Sequence, residues 1–478
     1  MTTTSHDARA GATADPSRLT TRLRLILAVV LLADVLDLMD STITNIAAPA
    51  IVRDLGGGES LIKWLGASYA LAMGVLLVVG GRLGDRFGKR RMFLIGIAGF
   101  TLASLGCGLA AGPAMLIAGR LLQGGFGALL IPQGIGILIS TFSREQQPRA
   151  FTAFGPVLGA SAVLGPIAAG FLISADIAGL TWRPIFLINI VLGSAGFLAA
   201  FRILPRDEPA SAVPIDGLGS GLLGASMFAL IYGLIDGSTD GWTALPILCL
   251  AGGALLLAGF GVRQRMAADP LILPSLLANR GFTAGLLLGL AFFAALNGLA
   301  YVISLFFQTA LGLSPRAAAI ALCPMMIGII IAAFVCRPLV GRLGRVLVIT
   351  GLGITLAGAA GLWATVLAQG TAGSVWALAP SILVLGAGMG TCISSIYDVA
   401  IGDVAPAEAG SASGALSAVQ QLAAAIGSAV VTTVYFTQLA HHGAAHAMTV
   451  SVAVVGAIAL LDLGLVWLLP RSAPPDQH

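Results

Sequence analysis

The feature that most constrains this chain is a run of about twenty apolar residues that recurs along nearly the whole sequence. A run of this length crosses the hydrocarbon core of a bilayer as a helix. Of the 478 residues, 57% are hydrophobic and only 10% are charged, whereas soluble proteins carry about 25% charged residues. A soluble fold would expose much of this apolar surface to water, so the sequence predicts an all-α membrane protein.

Fourteen such runs are predicted to be transmembrane helices. They lie near 24–50, 61–81, 91–111, 113–140, 150–174, 183–204, 215–236, 243–263, 281–310, 316–337, 345–368, 376–401, 409–437 and 446–469. Residues 1–22 are polar and lack the apolar core of a signal peptide, so we expect a disordered cytoplasmic tail. Residues 471–478 are predicted to be a second cytoplasmic tail.

The distribution of lysine and arginine predicts the orientation. With the N-terminus in the cytoplasm, most of the 25 Lys and Arg fall on the cytoplasmic side, as the positive-inside rule requires. The exceptions are Arg53, Lys63, Arg183 and Arg316 outside and Arg120 within a helix. We therefore expect a multi-pass plasma-membrane protein with both termini cytoplasmic. The net charge of +4 is sorted by membrane side and does not indicate a nucleic-acid partner; lipids and a small-molecule substrate are the expected partners of a monomer.

A short internal repeat indicates duplication. The sequence Gly81-Arg82-Leu83-Gly84 follows the second segment, and Gly341-Arg342-Leu343-Gly344 follows the tenth, on the same side of the membrane. Two six-helix halves descended from one ancestor would have this pattern. We therefore expect an N-terminal bundle over 23–205, two inserted linker helices over 206–270 and a C-terminal bundle over 271–470.

The residues after segment 2, Gly81 to Arg91, read GRLGDRFGKRR and resemble the signature motif of the major facilitator superfamily. Matches to its fourteen-helix drug:proton antiporter branch extend from about residue 24 to 469. They comprise Asp40 to Pro49 (DSTITNIAAP), Trp64, Tyr69, Arg120, Gln123, Gly124, Gly125, Trp182, Arg183, Phe186, Asn189, Pro270, Leu271, Gln308 and Gly312 to Pro315. The resemblance implies proton-coupled export of small lipophilic, often cationic, drugs or of a self-made metabolite. An uptake permease of the same fold is the alternative.

The antiporter motif of segment 5 is matched by Gly165, Pro166 and Gly170, although Ala169 stands where the family pattern has a glycine. By resemblance this motif favours export over uptake. Two further departures occur, Pro184 after Trp182-Arg183 and Arg345-Val346 in the second copy of the repeat. The second half has thus lost the charges of the first copy.

The first copy is interpreted as a cytoplasmic gate formed by Gly81, Asp85, Arg86, Gly88, Lys89 and Arg90. Its glycines permit a tight reversal between two helices, and Asp85 can bind a helix N-terminus or an arginine such as Arg149. The alternative is that the basic residues only anchor a loop in the cytoplasm, but that interpretation gives Asp85 no purpose.

Three aspartates in segment 1, Asp34, Asp37 and Asp40, are predicted to form the central site. An aspartate at the membrane centre costs roughly 2.5–3.5 kcal/mol on insertion scales, so three uncompensated ones would cost about 8–10 kcal/mol. Their spacing of three places them on a helical stripe about 120° wide that can face a watery cavity. We expect this stripe to carry protons and to contribute to substrate binding.

Arg120 is the expected partner of Asp40, since the two residues lie about 10 and 15 Å below the outer ends of their segments. A carboxylate that alternates between pairing with arginine and carrying a proton can couple proton movement to conformation. The family resemblance also associates these two positions with coupling. The alternative is a static ion pair that only fixes helix packing.

The substrate cavity is predicted to involve Asp34, Asp37, Gln123 and Asp398. Asp34 goes beyond the family pattern, and three roles remain open: binding a cationic group, extending the proton path or reaching cytoplasmic water. Asp398 can line the cavity from the second half, although it lies near the cytoplasmic end of its segment. Asp462, in the last segment, is interpreted as structural.

Other functional classes are disfavoured. The five histidines lie outside the first thirteen segments, so the sequence indicates no buried Ser/His dyad and no HExxH zinc site, and we expect no enzyme. Arg90 stands where a phosphate loop needs Ser or Thr, which argues against an ATPase. The five isolated cysteines and the loop cluster His441, His442 and His446 predict no metal site. The proton gradient is the expected energy source, without a cofactor.

Overall fold

The computed structural model describes residues 19–143, 145–206, 216–336, 339, 343–401, 404 and 408–469, in a few stretches by their backbone alone. All helices, long and short, are numbered together in chain order. They are α1 Thr21–Leu55, α2 Gly58–Phe87, α3 Lys89–Gly108, α4 Pro113–Thr141, α5 Gln147–Thr152, α6 Phe154–Ala175, α7 Pro184–Ile203, α8 Gly217–Asp240, α9 Ala244–Met266, α10 Pro274–Ala278, α11 Arg280–Leu305, α12 Pro315–Cys336, α13 Arg345–Gln369, α14 Val375–Ile401, α15 Ala409–His442 and α16 Ala444–Leu465.

Twelve of these helices are long and apolar enough to cross a membrane, counting only the described residues. The predicted number of fourteen is not confirmed by this count, which leaves out α1 and α6. Helix α1 begins at Thr21, inside the range predicted to be a tail, and residues 1–18 and 471–478 of the two predicted tails lie outside the described residues.

Local sequence explains where the helices begin and end. Thr20 Oγ1 accepts a hydrogen bond from Leu23 N at 3.3 Å, and Asn279 Oδ1 accepts one from Phe282 N at 3.0 Å, so both residues cap the helices that follow them. Gly56 and Gly443 end α1 and α15 with φ of 74° and 81°, which residues with a Cβ adopt only with strain.

Each half is a bundle of helices that pack against one another. In the first half, α1 packs against α6 and α7, while α4 packs between α2 and α3. In the second half, α14 packs between α12 and α13, and α11 packs against α15 and α16. The halves meet where α2 packs on α15 and α6 packs on α12.

The two ends of the molecule differ in how the halves are joined. The end with Asp54, Gly108 and Arg183 is called the opposite face, and the end with Arg24, Arg82 and Arg90 is called the basic face. Near the opposite face, one apolar core includes residues of both halves, from Ile43–Ile51 and Leu61–Leu65 to α11 and α12. Nearer the basic face, the core around α1, α3 and α4 belongs to the first half except for Ala418.

Hydrogen bonds between the halves reinforce this junction near the opposite face. Tyr301 Oη on α11 donates to Ile62 O on α2 at 2.7 Å, and Ser304 Oγ donates to Asn45 O on α1 at 3.3 Å. An added Cβ on Gly66 would lie 2.6 Å from the Tyr301 ring, so the close approach requires glycine. The halves are therefore held together on the opposite-face side of the membrane centre.

The pair α8 and α9 lies beside the two bundles. Helix α8 packs on α2 and α15, whereas α9 packs on α8 and few of its residues are buried inside the protein. Lys63 Nζ on α2 donates to Ser238 Oγ at 2.8 Å, and Ser238 Oγ lies 3.2 Å from Thr433 Oγ1 on α15. A chain of polar contacts thus fixes α8 across the seam between the halves.

Candidate functional site

Asp40 is the centre of a buried polar network in the first half. The residue is 1% exposed, and its carboxylate accepts hydrogen bonds from three residues on two helices. Arg120 Nη1 on α4 donates to Oδ2, Gln123 Nε2 on α4 donates to Oδ1 at 3.1 Å, and Asn189 Nδ2 on α7 donates to Oδ1 at 2.7 Å. A buried carboxylate is tolerated when it is paired and hydrogen-bonded, and Asp40 meets both conditions.

A second layer of contacts holds the partners of Asp40 in place. Ser104 Oγ on α3 accepts hydrogen bonds from Gln123 Nε2 at 2.7 Å and from Asn189 Nδ2 at 3.3 Å. Gln123 Oε1 accepts from Arg120 Nη1 at 3.0 Å. The guanidinium of Arg120 lies 4.5 Å from the centre of the Tyr69 ring, a cation–π contact. The network therefore positions Arg120 from several sides.

Tight packing of α4 on α2 brings these groups together. An added Cβ on Gly124 would lie 2.2 Å from Tyr69 O, and one on Gly127 would lie 3.0 Å from both Asp37 Oδ1 and Tyr69 Oη. Tyr69 Oη donates a hydrogen bond to Asp37 Oδ1 across this contact. The glycines of α4 thus give the aspartates of α1 access to their partners on α2 and α4.

Asp34 has fewer partners than the other two aspartates. It is 6% exposed, and its Oδ2 has no hydrogen-bond partner among the described residues. Burying an ionised carboxylate without a partner is costly, so Asp34 is the least compensated of the three. Asp34 lies one to two turns toward the basic face from Asp40 on the same helix.

A central cavity of about 180 Å³ lies between the halves. Its first-half wall comes from α1, α2 and Arg120 of α4, and its second-half wall comes from α11 and α15. The polar side chains that line it are Ser41, Thr42, Asn45, Tyr69, Arg120, Asn297, Gln420, Gln421 and Ser428. Arg120 and Tyr69 therefore touch both this cavity and the buried aspartates.

The aspartate stripe of α1 is not among the residues that line this cavity, and neither is Gln123. The wall from α1 is formed by Leu38, Ser41, Thr42 and Asn45, whose centre lies about 120° around the helix from the midpoint of Asp37 and Asp40. The physical reason is that Asp37 and Asp40 turn toward Tyr69 and Arg120, which compensate their burial. The side chain of Asp398, on α14, lies outside the described residues.

The predicted pairing of Asp40 with Arg120 is present, whereas the sequence identified neither Asn189 as a further partner of Asp40 nor Ser104 as the acceptor that holds Asn189 and Gln123. Asn189 appeared only as part of the family pattern in segment 6. An amide or hydroxyl in an apolar run is a weak signal that could have pointed to both residues. Among the described residues, no three His, Cys, Asp or Glu side chains are grouped to hold a metal ion.

The predicted gate motif is not a loop. Gly81 to Phe87 form the last turns of α2, and Lys89 to Arg91 begin α3, so the reversal depends on Gly88 alone, with φ of 94°. The sequence had placed segment 2 at 61–81 and the motif after it, because glycines and charges in membrane helices were taken as the end of the helix. Asp85 and Arg86 are exposed there, and Asp85 has no hydrogen bond or ion pair within the described part of the chain.

Basic residues of the motif bind neighbouring backbone at the basic face. Arg82 Nη2 donates to Pro270 O at 2.8 Å, and Arg90 Nη2 donates to Phe201 O at 2.6 Å. Gln133 Nε2 on α4 donates to Gly80 O at 2.7 Å, where an added Cβ on Gly80 would lie 2.2 Å from Ala128 O. The α2–α3 junction is therefore tied to α4, to the end of α7 and to the segment before α10. Gly341 and Arg342 of the second copy lie outside the described residues.

The segment 5 motif lies where the halves meet. An added Cβ on Gly165 would lie 2.5 Å from Thr42 Oγ1 of α1, and one on Gly170 would lie 2.8 Å from Pro315 O at the start of α12. Pro166 is inside α6, between these two contacts. Helix α6 can thus approach α1 of its own half and α12 of the other half closely because both positions are glycine.

Comparison with known proteins agrees with this architecture. The family model described as Major Facilitator Superfamily matches residues 30–428. The chain belongs to the major facilitator superfamily. Its members are transporters, so the chain is a multi-pass membrane transporter rather than an enzyme. A probable actinorhodin transporter of Streptomyces coelicolor is 42% identical over 415 residues, which cover 86% of this chain and 72% of that protein.

Two further proteins show how far the similarity extends. A cephamycin export protein of Amycolatopsis lactamdurans is 33% identical over 491 residues, covering 99% of this chain and 98% of that protein. Among solved structures, a D-xylose–proton symporter has a TM-score of 0.66 at 15% identity, covering 94% of this chain and 99% of that one. The structural likeness establishes the fold of this superfamily transporter.

Proposed function

We propose that this transporter exports small lipophilic molecules, drugs or antibiotics, in exchange for protons by alternating access. The observation that carries the proposal is that Arg120 and Tyr69 both line the central cavity and bind the buried carboxylates Asp40 and Asp37. A substrate in the cavity and a proton on a carboxylate therefore act on the same side chains. The names of the relatives, an export protein and an antibiotic transporter, support export as the direction.

The hydrogen bonds of Asp40 support the proposed proton coupling. The ionised carboxylate accepts from Arg120, Gln123 and Asn189, and a proton on either oxygen removes the charge that pairs with Arg120. The guanidinium is then free to turn into the cavity and to weaken substrate binding. Return of Asp40 to the ionised form restores the pair, so proton and substrate occupy the protein alternately.

The proposed topology has fourteen transmembrane helices. Helices α1 and α6, with 35 and 22 residues, are about 52 and 33 Å long, enough for a hydrocarbon core about 30 Å thick. Added to the twelve apolar helices, they give an N-terminal bundle over 23–205, linker helices over 206–270 and a C-terminal bundle over 271–470. The basic face is then cytoplasmic, with both termini there, in a plasma-membrane monomer that uses the proton gradient and no cofactor.

The motif at the α2–α3 junction is proposed to be the cytoplasmic gate. Arg82 and Arg90 tie this junction to other elements through backbone oxygens, whereas Asp85 is exposed and available for a partner when the basic face closes. Asp85→Asn is therefore expected to slow transport several-fold while the relative rates for different substrates stay the same. A changed substrate spectrum would contradict this placement.

Everted membrane vesicles test the function directly. A panel of fluorescent lipophilic dyes and antibiotics is added outside, and uptake into the vesicle lumen is compared with and without an inward-acidic proton gradient. Export predicts gradient-dependent accumulation that an uncoupler abolishes, and vesicles with Asp85→Asn serve as the slow control. Accumulation without a gradient would contradict proton coupling, and transport only out of the vesicles would identify an uptake permease.

A further inference from the structure

The side chains around the central cavity indicate the charge of its substrate. Four primary amides line it: Asn45 on α1, Asn297 on α11, and Gln420 and Gln421 on α15. Each amide offers two N–H donors and one carbonyl acceptor. No aspartate or glutamate is among the described residues that line the cavity.

Most of this hydrogen-bonding capacity is unused. The side chains of Asn45, Gln420 and Gln421 make no hydrogen bond within the described part of the chain. Asn297 uses one donor on Phe293 O at 2.8 Å and keeps its other N–H and its carbonyl oxygen. Polar groups facing a buried cavity are costly when they remain unpaired, so these amides are matched to a ligand with hydrogen-bonding groups of its own.

The hydroxyl groups at the cavity act mainly as acceptors. Ser41 Oγ donates to Leu38 O at 2.9 Å, Thr42 Oγ1 to Leu38 O at 3.0 Å, and Ser428 Oγ to Ala424 O at 2.8 Å. Their protons are thus used by the backbone, and their lone pairs face the cavity. Together with the amides they complement a molecule that carries both carbonyl and hydroxyl groups.

A cation finds no charged partner here. The carboxylates nearest to the cavity, Asp37 and Asp40, are held by Tyr69 and Arg120, and the Tyr69 ring has the Arg120 guanidinium 4.5 Å from its centre. The only formal charge on the described lining is therefore the positive one of Arg120. Because this charge is paired with Asp40, it offers a cation no attraction, and the guanidinium already occupies a face of the Tyr69 ring.

An anion would bind Arg120 only by displacing Asp40. The displaced carboxylate would then take up a proton, so that anion and proton would occupy the protein together. Simultaneous binding favours co-transport, whereas exchange requires that the anion and the proton occupy the protein alternately. An uncharged molecule avoids this conflict because it can bind the amides while the Asp40–Arg120 pair stays intact.

We propose, building on the function proposed above, that the cavity selects uncharged molecules that carry both hydrogen-bond donors and acceptors, such as hydroxyl and carbonyl groups. The family resemblance implied lipophilic, often cationic, drugs, whereas this class is uncharged. The volume of about 180 Å³ is below the ~300–1,000 Å³ of pockets for drug-sized ligands, so the cavity widens as the halves separate to admit such a molecule.

Three probes test the proposal in everted vesicles under the same proton gradient. They are quinizarin, an uncharged dihydroxyquinone, its sulfonated anion, and tetraphenylphosphonium, a permanent lipophilic cation. The wild type is expected to transport quinizarin in preference to both ions. Preferred transport of either ion under the gradient would overturn the substrate assignment while leaving proton-driven export standing. Transport of none of the probes would overturn the assignment too, and the dye and antibiotic panel would decide the proposed function separately.

Substitutions on α15 locate the specificity. Gln420→Leu combined with Gln421→Leu removes two amides and is expected to lower quinizarin transport about tenfold, with little change in proton-gradient dependence. Gln420→Glu places a carboxylate at the cavity and is expected to allow transport of tetraphenylphosphonium. Gln438→Glu and Gln438→Leu on the same helix, outside the cavity lining, are the matched controls and should behave as the wild type. Equal effects of the changes at Gln438 and Gln420 would overturn the proposal.

Discussion

The two walls of the central cavity are built on different chemical principles. The first-half wall presents Arg120 and Tyr69, whose polar atoms are bonded to buried aspartates behind them. The second-half wall presents Asn297, Gln420 and Gln421, which are uncharged and have hydrogen-bonding groups to spare. The charged groups of the first-half wall, called the charged wall, are paired within the protein, although this wall also carries one free amide, Asn45. The second-half wall, called the amide wall, is left to be satisfied by a ligand.

This difference follows from the free energy of burial. An unpaired charge in a membrane interior is too costly to remain unpaired whenever no ligand is bound. A charged group that takes up and releases protons must therefore have partners within the protein. The free-energy cost of an unpaired amide is far smaller, so an amide can stay unpaired until a substrate binds. Coupling therefore lies on the first half and most of the recognition on the second, and the two halves move relative to each other in alternating access.

The largest effect on transport is expected from Asp40→Asn, which tests the difference between the two walls of the cavity. The amide keeps the size of the side chain but can neither ionise nor take up a proton, and it places an N–H group beside Arg120. Gradient-driven transport should fall to the level of vesicles that lack the protein, whereas the amount of protein in the membrane stays the same. This loss of transport is measured as substrate uptake with and without the proton gradient.

The matched control for this change is Asn297→Asp, which adds a carboxylate to the amide wall instead of removing one from the charged wall. It should alter the choice among probes and preserve the response to the gradient. If Asp40→Asn retained full coupling, Asp40 would be a structural ion pair with Arg120, the alternative that the sequence left open.

A smaller effect is expected from Tyr69→Phe, which sharpens the comparison within the charged wall. It removes the hydroxyl that donates to Asp37 and keeps the aromatic ring under Arg120. The loss of about one hydrogen bond should reduce transport about fivefold, because the Asp40 network remains intact. The rate at several proton gradients measures it, and Tyr232→Phe on α8 is the control. An unchanged rate would exclude Asp37 from the coupling machinery.

Much of the fold could be predicted from the sequence because the membrane restricts it so strongly. Backbone polar groups must be satisfied within each spanning segment, so an apolar run of about twenty residues predicts a helix and its approximate place. The ends were less predictable: α1 extends to Leu55 and α2 to Phe87, since glycine and charged residues there continue the helix. Hydropathy reports the apolar interior of a helix and not where its polar ends stop.

The site was predicted in part for a similar reason. Asp40 and Arg120 stand out as charges in apolar segments, and their depths along two helices suggested the pairing that the structure has. Gln420 and Gln421 were missed because amides are unremarkable in composition, and only the side on which α15 faces α1 and α2 places them at the cavity. Two adjacent glutamines within a stretch of small apolar residues were the signal available.

The smallest effect on transport is expected from Asp462→Leu, which asks whether burial alone makes an acid a coupling site. Asp462 on α16 is 0% exposed, and neither of its carboxyl oxygens has a hydrogen-bond partner among the described residues. Unlike Asp40 it has no arginine whose pairing could change with protonation, so its removal should leave the rate and the gradient dependence unchanged. Because leucine replaces a buried, unpartnered polar group with an apolar one, the protein should instead gain about 1–3 kcal/mol in stability. Thermal unfolding in detergent measures this gain, with Asp40→Leu expected to lose both stability and transport.

A loss of proton-driven transport in Asp462→Leu would show that the second half also carries coupling protons. The separation of coupling from recognition between the two halves would then be wrong.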